Sequence, residues 1–176
     1  MEIESHDTNF LTCGCLEVKI LRVESPLLFW VQLKNGEAAL EKFHQELHQR
    51  MIIKQDQLRY LSDVKQDDIV AVKEGNAWRR DLVTAVLLNI QTARIALRDW
   101  GRVYTRYYSD IYFLENVFRE LPWQALTCGL AHLTPLIPCD LWSQDTRTLC
   151  RILAEERKGW IQIIHPLADG AVLNDR

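Results

Sequence analysis

Between Arg94 and Tyr108 the chain interleaves cations and rings: Arg94, Arg98, Trp100, Arg102, Tyr104, Arg106, Tyr107 and Tyr108. Rings stack bases and guanidinium groups neutralise phosphates, so this cluster is the best case for a single-stranded nucleic-acid surface. The plainer reading is a strand pair whose inward rings fill a small core while its arginines stay solvated, and it is preferred because rings at strand spacing are common in sheets. His44 and His48 stand four apart in HQELH, a spacing that can ligate metal on a helix. The metalloprotease motif needs a glutamate directly after the first histidine, where Gln45 stands, so both are expected to be solvated surface histidines. Cys13-Gly14-Cys15 lacks the second pair that a tetrahedral site wants, and no metal is expected. Cys128 near His132 reads as the buried thiol of a closing strand rather than a nucleophile and its base. Glu17, Arg22 and Glu24 could serve phosphodiester chemistry only with an ordered counterpart at the far end of the chain, and none is present. There is no glycine-rich phosphate loop and no Gly-x-Ser-x-Gly elbow. The chain is therefore expected to have no catalytic residue and no cofactor.

These side chains sit in a chain of 176 residues, 48% hydrophobic and 26% charged, the balance of a soluble globular protein with room for one domain or two small interlocked ones. Lys and Arg number 21 against 24 Asp and Glu, a formal charge of -3, so no global basic field points to nucleic acid or an anionic membrane. No apolar run approaches the roughly 18 to 20 residues of a membrane span. MEIESHDTNF lacks the basic start and apolar core of a secretion signal, which makes an intracellular compartment the expectation. Five cysteines, an odd count without a CxxC pair, fit reduced thiols.

The elements that must position these residues follow from periodicity. Residues 15–33 read as two strands around Ser25-Pro26, with Leu16, Val18 and Ile20 alternating on the first and Phe29, Val31 and Leu33 on the second. From Gly36 to about Met51, Ala39, Leu40, Phe43, Leu47 and Met51 form one apolar stripe of a helix. Strands are expected at 68–72, 78–88, 92–98 and 102–108, broken at Gly75-Asn76, Asn89 and Trp100-Gly101, and together they suggest a small curled antiparallel sheet or barrel. Residues 112–118 could make a helical turn or two, and 125–130 a closing strand. Ser143 then caps a helix with an apolar face of Leu149, Ile152 and Leu153, stopped at Lys158-Gly159. A strand at 160–164 and an Asp169-Gly170 turn into 171–173 complete the chain. The order, β-β-α, a β-rich insert, then α-β-β, suggests that the two ends form one module and the middle another.

The stretch from Val70 to Pro135 resembles a Tudor domain. The resemblance rests on an ordered set: Trp78-Arg79-Arg80-Asp81 for the family's Trp-aromatic-Arg-Ala step, Asp99-Trp100-Gly101-Arg102 for its Asp-Tyr-Gly-Asn corner, and Pro122-Trp123-Gln124-Ala125 with Cys128 for its Pro-x-Gln-Ala segment and following cysteine. FWVQL before an amphipathic helix resembles the extended form of the family. The implied fold is mainly β with helices (α+β), a Tudor-type β-barrel inserted into a split staphylococcal-nuclease-like OB module. Residues 15–60 would be the first half of that module plus a linker helix, 64–121 the barrel core, and 122–176 the closing strand and second half.

The resemblance implies a reader of arginine, often symmetrically dimethylated, in the tails of PIWI proteins, built on an aromatic cage of the cation–π kind. Carried over residue by residue, the cage falls on Lys73 (or Val72), Arg79, Leu97, Trp100 and Arg102, with Asp99 and Gly101 shaping the corner. Of the family's rings only the one at Trp100 survives. Like charges at about 4 Å cost on the order of 1 kcal/mol even in bulk water, comparable to what one remaining ring supplies. The implied function is a non-catalytic adaptor of the germline PIWI-interacting RNA pathway, in cytoplasmic, perinuclear or other ribonucleoprotein granules. Its expected partner is an arginine-rich peptide tail of a PIWI-family or other granule protein, bound without strict need for methylation. Single-stranded RNA is the secondary partner. Self-association and a non-standard dimethylarginine cage also stay open, and no membrane partner is expected.

Overall fold

Among the described residues, β-branched and aromatic runs punctuated by short turns build two antiparallel sheets, and two helices account for the stretches of 3.6-residue periodicity. The computed structural model describes residues 3–4, 11, 14–54, 63–135 and 142–164. The chain divides into two compact units, Met1–Glu4 with Asn35–Gln124, and Ser5–Lys34 with Ala125–Arg176. The expected turn at Asp169-Gly170, the strand at 171–173, Cys13 and Cys139 lie outside the described residues.

The second of these units carries a four-stranded sheet. Strands β1 (Cys15–Ser25) and β2 (Leu28–Leu33) form the expected hairpin, with register shifts after Ile20 and Val23. Val18, Val23, Phe29, Val31, Leu33 and Leu126 are its buried core. The expected strand at 125–130 is shorter, Ala125–Cys128, and pairs with β2, while a strand at Lys158–Gln162 pairs with β1.

The helix at Gln144–Ala154 begins at the expected cap. Ser143 Oγ accepts the Thr146 N–H at 3.2 Å, satisfying one of the free N–H groups of the first turn. Ser143→Ala is expected to cost about 1 kcal/mol in urea unfolding, the usual worth of such a cap. The face of this helix differs from the expectation: Leu149, Ile152 and Leu153 are exposed, and Cys150 and Ala154 pack on the core instead. The reason is a polar clamp on β1. Arg151 Nε donates to the Val23 carbonyl at 3.4 Å and Glu155 Oε2 accepts the Val23 N–H at 3.1 Å, turning the small side chains inward. The stop also differs, because Glu156 takes the left-handed conformation (φ 62°) and Gly159 lies inside the following strand, opposite Val18.

The other unit is built around α1 (Lys34–Ile53), whose stripe of Leu40, Phe43, Leu47 and Met51 is buried. Its sheet contains β3 (Ile69–Glu74), β4 (Ala77–Leu87), β5 (Thr92–Leu97), β6 (Arg102–Tyr107) and β7 (Ile111–Phe113), in the order β6-β5-β4-β3-β7. The expected helical turns at 112–118 are this short edge strand followed by a 3-10 turn at Asn116–Arg119. Gly75 closes the β3–β4 turn at φ 58°, a region that favours glycine. The helix stripe, Ile69, Ala71, Trp78, Phe118 and Trp123 share one core, whereas Val70, Val72, Val83, Ala93, Ile95 and Ile111 form another. The middle strands are therefore buried on both faces, and each large apolar side chain so buried contributes about 1.5–3 kcal/mol.

Candidate functional site

The corner between β5 and β6 is held by a buried ion pair. Asp99 accepts Arg80 Nε at 2.8 Å and Nη2 at 3.0 Å, and also the Gln124 N–H at 2.9 Å. The same guanidinium donates to the carbonyls of Phe118 (3.2 Å), Leu121 (2.6 Å) and Pro122 (2.9 Å) and lies over the rings of Phe43 (4.5 Å) and Trp123 (4.8 Å). One side chain thus ties the corner to the Pro122–Gln124 segment, using all five N–H donors of its fork. Gly101 makes the turn possible: its φ is 66° and its N–H reaches the Leu97 carbonyl at 2.8 Å.

The turn carries Trp100 to a half-buried position. His44 of α1 stacks on its ring, centroids 5.5 Å apart and planes inclined by 22°, and the Arg79 guanidinium sits 4.6 Å from the same ring. Glu74 lies 3.8 Å from both Arg79 and Arg102, one carboxylate shared by two cations. Leu97 is buried beside them. His44 is thus no solvated surface histidine. Burial, then the charges of Arg79 and Arg80, lower its pKa to about 3, so its ring is neutral at physiological pH.

Strand register sorts the residues anticipated from sequence. Val72↔Arg79 and Lys73↔Trp78 are opposite pairs, so Lys73 shares the face of Trp78 and points away from Arg79. Arg79, Leu97, Trp100 and Arg102 gather at one end of the sheet; Lys73 does not, and Glu74 takes part instead. His44 left a signal in the sequence, since it lies four residues after Leu40 and three before Leu47 and so borders the buried stripe.

One pleat deeper on the same face stands Asp81, fully buried. Tyr104 donates its hydroxyl proton to Asp81 Oδ2 at 2.8 Å, while Oδ1 has no hydrogen-bond partner. Burial pushes the Asp81 carboxyl well above its usual range. Nearby Asp99 and Glu74 add to the rise; the Tyr104 hydrogen bond and Arg106 oppose it. The Tyr104 phenol is raised too, first by its own burial and then by Asp81. The Arg106 guanidinium lies 4.2 Å from the Tyr104 ring.

Elsewhere, Glu17 pairs with Lys34 and Arg22 with Glu24. Burial raises the Cys128 thiol to about 11, leaving it protonated and a poor nucleophile. Among the described residues, no three His, Cys, Asp or Glu side chains come together to hold a metal ion.

Two antiparallel sheets with two helices and this buried Arg–Asp corner define a Tudor protein, and the chain belongs to the Tudor domain family, whose model matches residues 16–132. Its fold is that of the extended Tudor domains. The extended Tudor domain TD3 of mouse TDRD1, solved with a MILI peptide containing dimethylarginine 45, superposes with a TM-score of 0.83 at 17% identity, covering 97% of this chain and 85% of that one. The Drosophila melanogaster Papi extended Tudor domain gives 0.78 at 23%, covering 86% and 82%. Among curated relatives, human Tudor domain-containing protein 7 is 27% identical over 139 residues, 75% of this chain but 12% of that protein. The human Tudor and KH domain-containing protein is 29% identical over 153 residues, 82% and 25%. The chain thus spans a small part of the length of the relatives it matches.

Proposed function

We propose that this chain is a non-catalytic peptide-binding adaptor with a degenerate cage, recognising an arginine-rich tail of a PIWI-family or other granule protein without strict need for methylation. The observation that carries this reading is the Arg79 guanidinium 4.6 Å from Trp100, where an aromatic cage would seat the ligand's cation. A methylarginine meets one ring already engaged and two arginines of its own sign, so methyl groups add no affinity. Peptide complexes of extended Tudor neighbours support the ligand class: the TDRD1 domain with the MILI dimethylarginine peptide, and Papi with a Piwi N-terminal R10me2s peptide. We assign residues 64–121 to the ligand-facing barrel, 15–60 to the first half of the nuclease-like module plus a linker helix, and 122–176 to the closing strand and the second half of that module. The PIWI-interacting RNA pathway and a cytoplasmic granule are the corresponding setting.

Titration of one peptide in unmethylated and symmetrically dimethylated forms tests the reading: the dimethylated form binds no more tightly. Arg79→Tyr with Arg102→Asn, which restores a ring and an amide, is expected to raise affinity for the dimethylated peptide about tenfold, the scale of one good cation–π contact. A clear methyl preference in the wild type would instead establish a non-standard cage. A second reading, single-stranded RNA, is favoured by the exposed Arg102 and Tyr107 on β6. It requires binding that weakens steeply with salt and with Arg102→Glu.

A further inference from the structure

We propose that Asp81 is the selectivity group of this site: an unmethylated arginine of the bound peptide pairs with its carboxyl, and methylation of that arginine weakens binding. This rests on the peptide reading above and names the group that chooses between the two forms of the ligand. Asp81 places a carboxyl on the face that carries Arg79. Val70↔Asp81 and Val72↔Arg79 put Asp81 one row, roughly 7 Å, below Arg79; Leu82↔Ala96 and Leu97↔Arg102 put it level with Leu97 and Arg102, with Tyr104 reaching it from the next row. Tyr104 fixes one carboxyl oxygen and leaves Oδ1 without a partner, an acceptor in a fully buried position. Buried acceptors are nearly always satisfied, and an exception calls for a group that completes it.

A guanidinium supplies that group through its N–H fork. Symmetric dimethylation keeps the charge but replaces one N–H on each terminal nitrogen with a methyl group, which blocks bidentate pairing. The groups facing Asp81 are Tyr104, Asp99, Glu74 and Arg106. Glu74 is shared between Arg79 and Arg102, and Arg106 lies against Tyr104, so the peptide cation is the new partner. Burial favours the neutral form of Asp81 and a guanidinium partner favours the ionised one, so binding lowers its pKa, sends the proton to solvent wherever the free protein still holds it, and strengthens as pH rises through that range.

Calorimetric titration of an Arg-Gly repeat peptide, unmethylated and symmetrically dimethylated, in buffers of different ionisation enthalpy tests this on wild type, Asp81→Ala and Asp81→Asn. The wild type should prefer the unmethylated peptide and release a proton on binding it. Asp81→Ala should weaken that peptide roughly tenfold or more, the scale of a hydrogen bond to a charged group, and abolish the preference. A second readout needs no variant: the Asp81 carboxyl resonance moves to its ionised position on addition of the unmethylated peptide and not of the dimethylated one. Wild-type binding with an unmoved Asp81 resonance, or Asp81→Ala affinities equal to wild type, overturns the role of Asp81 alone. Failure of the wild type to bind either peptide overturns the peptide reading and this inference together.

Discussion

Arg80→Met is expected to cost about 3–5 kcal/mol of unfolding free energy, because it strands Asp99 as an unpaired charge in a buried site. The loss does not stop at one salt bridge. The same guanidinium satisfies the carbonyls of Phe118, Leu121 and Pro122 and packs on two rings, so methionine replaces its volume but none of its donors. Adding Asp99→Leu removes the stranded charge and should recover part of the loss, while the Phe118 and Leu121 carbonyls and the Gln124 N–H lose the partners described above and the Pro122 carbonyl keeps only Gln124 Nε2 at 2.8 Å. Urea unfolding followed by tryptophan fluorescence measures both variants; a cost below about 1 kcal/mol for Arg80→Met, the scale of an exposed ion pair, would show that the corner does not depend on it.

The second large effect concerns Asp81 and has the opposite sign. Its folded-state pKa lies above the ordinary value of 3.8, so the native chain holds a proton that the unfolded chain has already released. Stability from this group is complete below that value and declines as pH rises toward the folded pKa, because there the unfolded state binds fewer protons. Asp81→Asn keeps an acceptor for Tyr104 and cannot ionise. At neutral pH it should stabilise the protein by on the order of 1 kcal/mol or more, because the folded state no longer has to hold a proton that the unfolded state has released, and one pKa unit is worth about 1.4 kcal/mol. The variant's advantage should shrink as pH falls toward 3.8. Parallel stability profiles of the two proteins across that range would contradict the burial of an ionisable carboxyl.

Much of this fold is legible in the sequence because its signals are redundant. The stripe from Leu40 to Met51 fixes α1 and its buried face together, and the alternation of Phe29, Val31 and Leu33 does the same for β2. Where redundancy ends, so does legibility. Ile69, Val70, Ala71 and Val72 are all apolar and all buried, so nothing in β3 tells which parity faces which core. A one-residue choice there flips every side chain, which is why the sequence leaves Lys73 and Val72 both open, and the register puts Val72 and not Lys73 opposite Arg79. β7 is too short for periodicity to distinguish it from a helical turn. In the second helix, the larger apolar residues lose the inward face to Cys150 and Ala154 because the contacts of Arg151 and Glu155 with Val23 depend on a strand distant in sequence. Asp81 is hidden for the opposite reason: carboxylates are rarely interior, and only the register places this one there.

The pairing of Gln32 with Ala125 closes a loop that contains the whole segment from Lys34 to Gln124. Left as flexible chain, so long a loop would be entropically expensive to close, and pairing between such distant strands is the slow step of many β proteins. A segment that has already collapsed around α1 and its five strands shortens that search by holding fewer conformations between the two ends. Refolding should accordingly be sequential, with the Trp78–Trp123 core gaining protection from hydrogen exchange before the ladder between β2 and Ala125–Cys128 does.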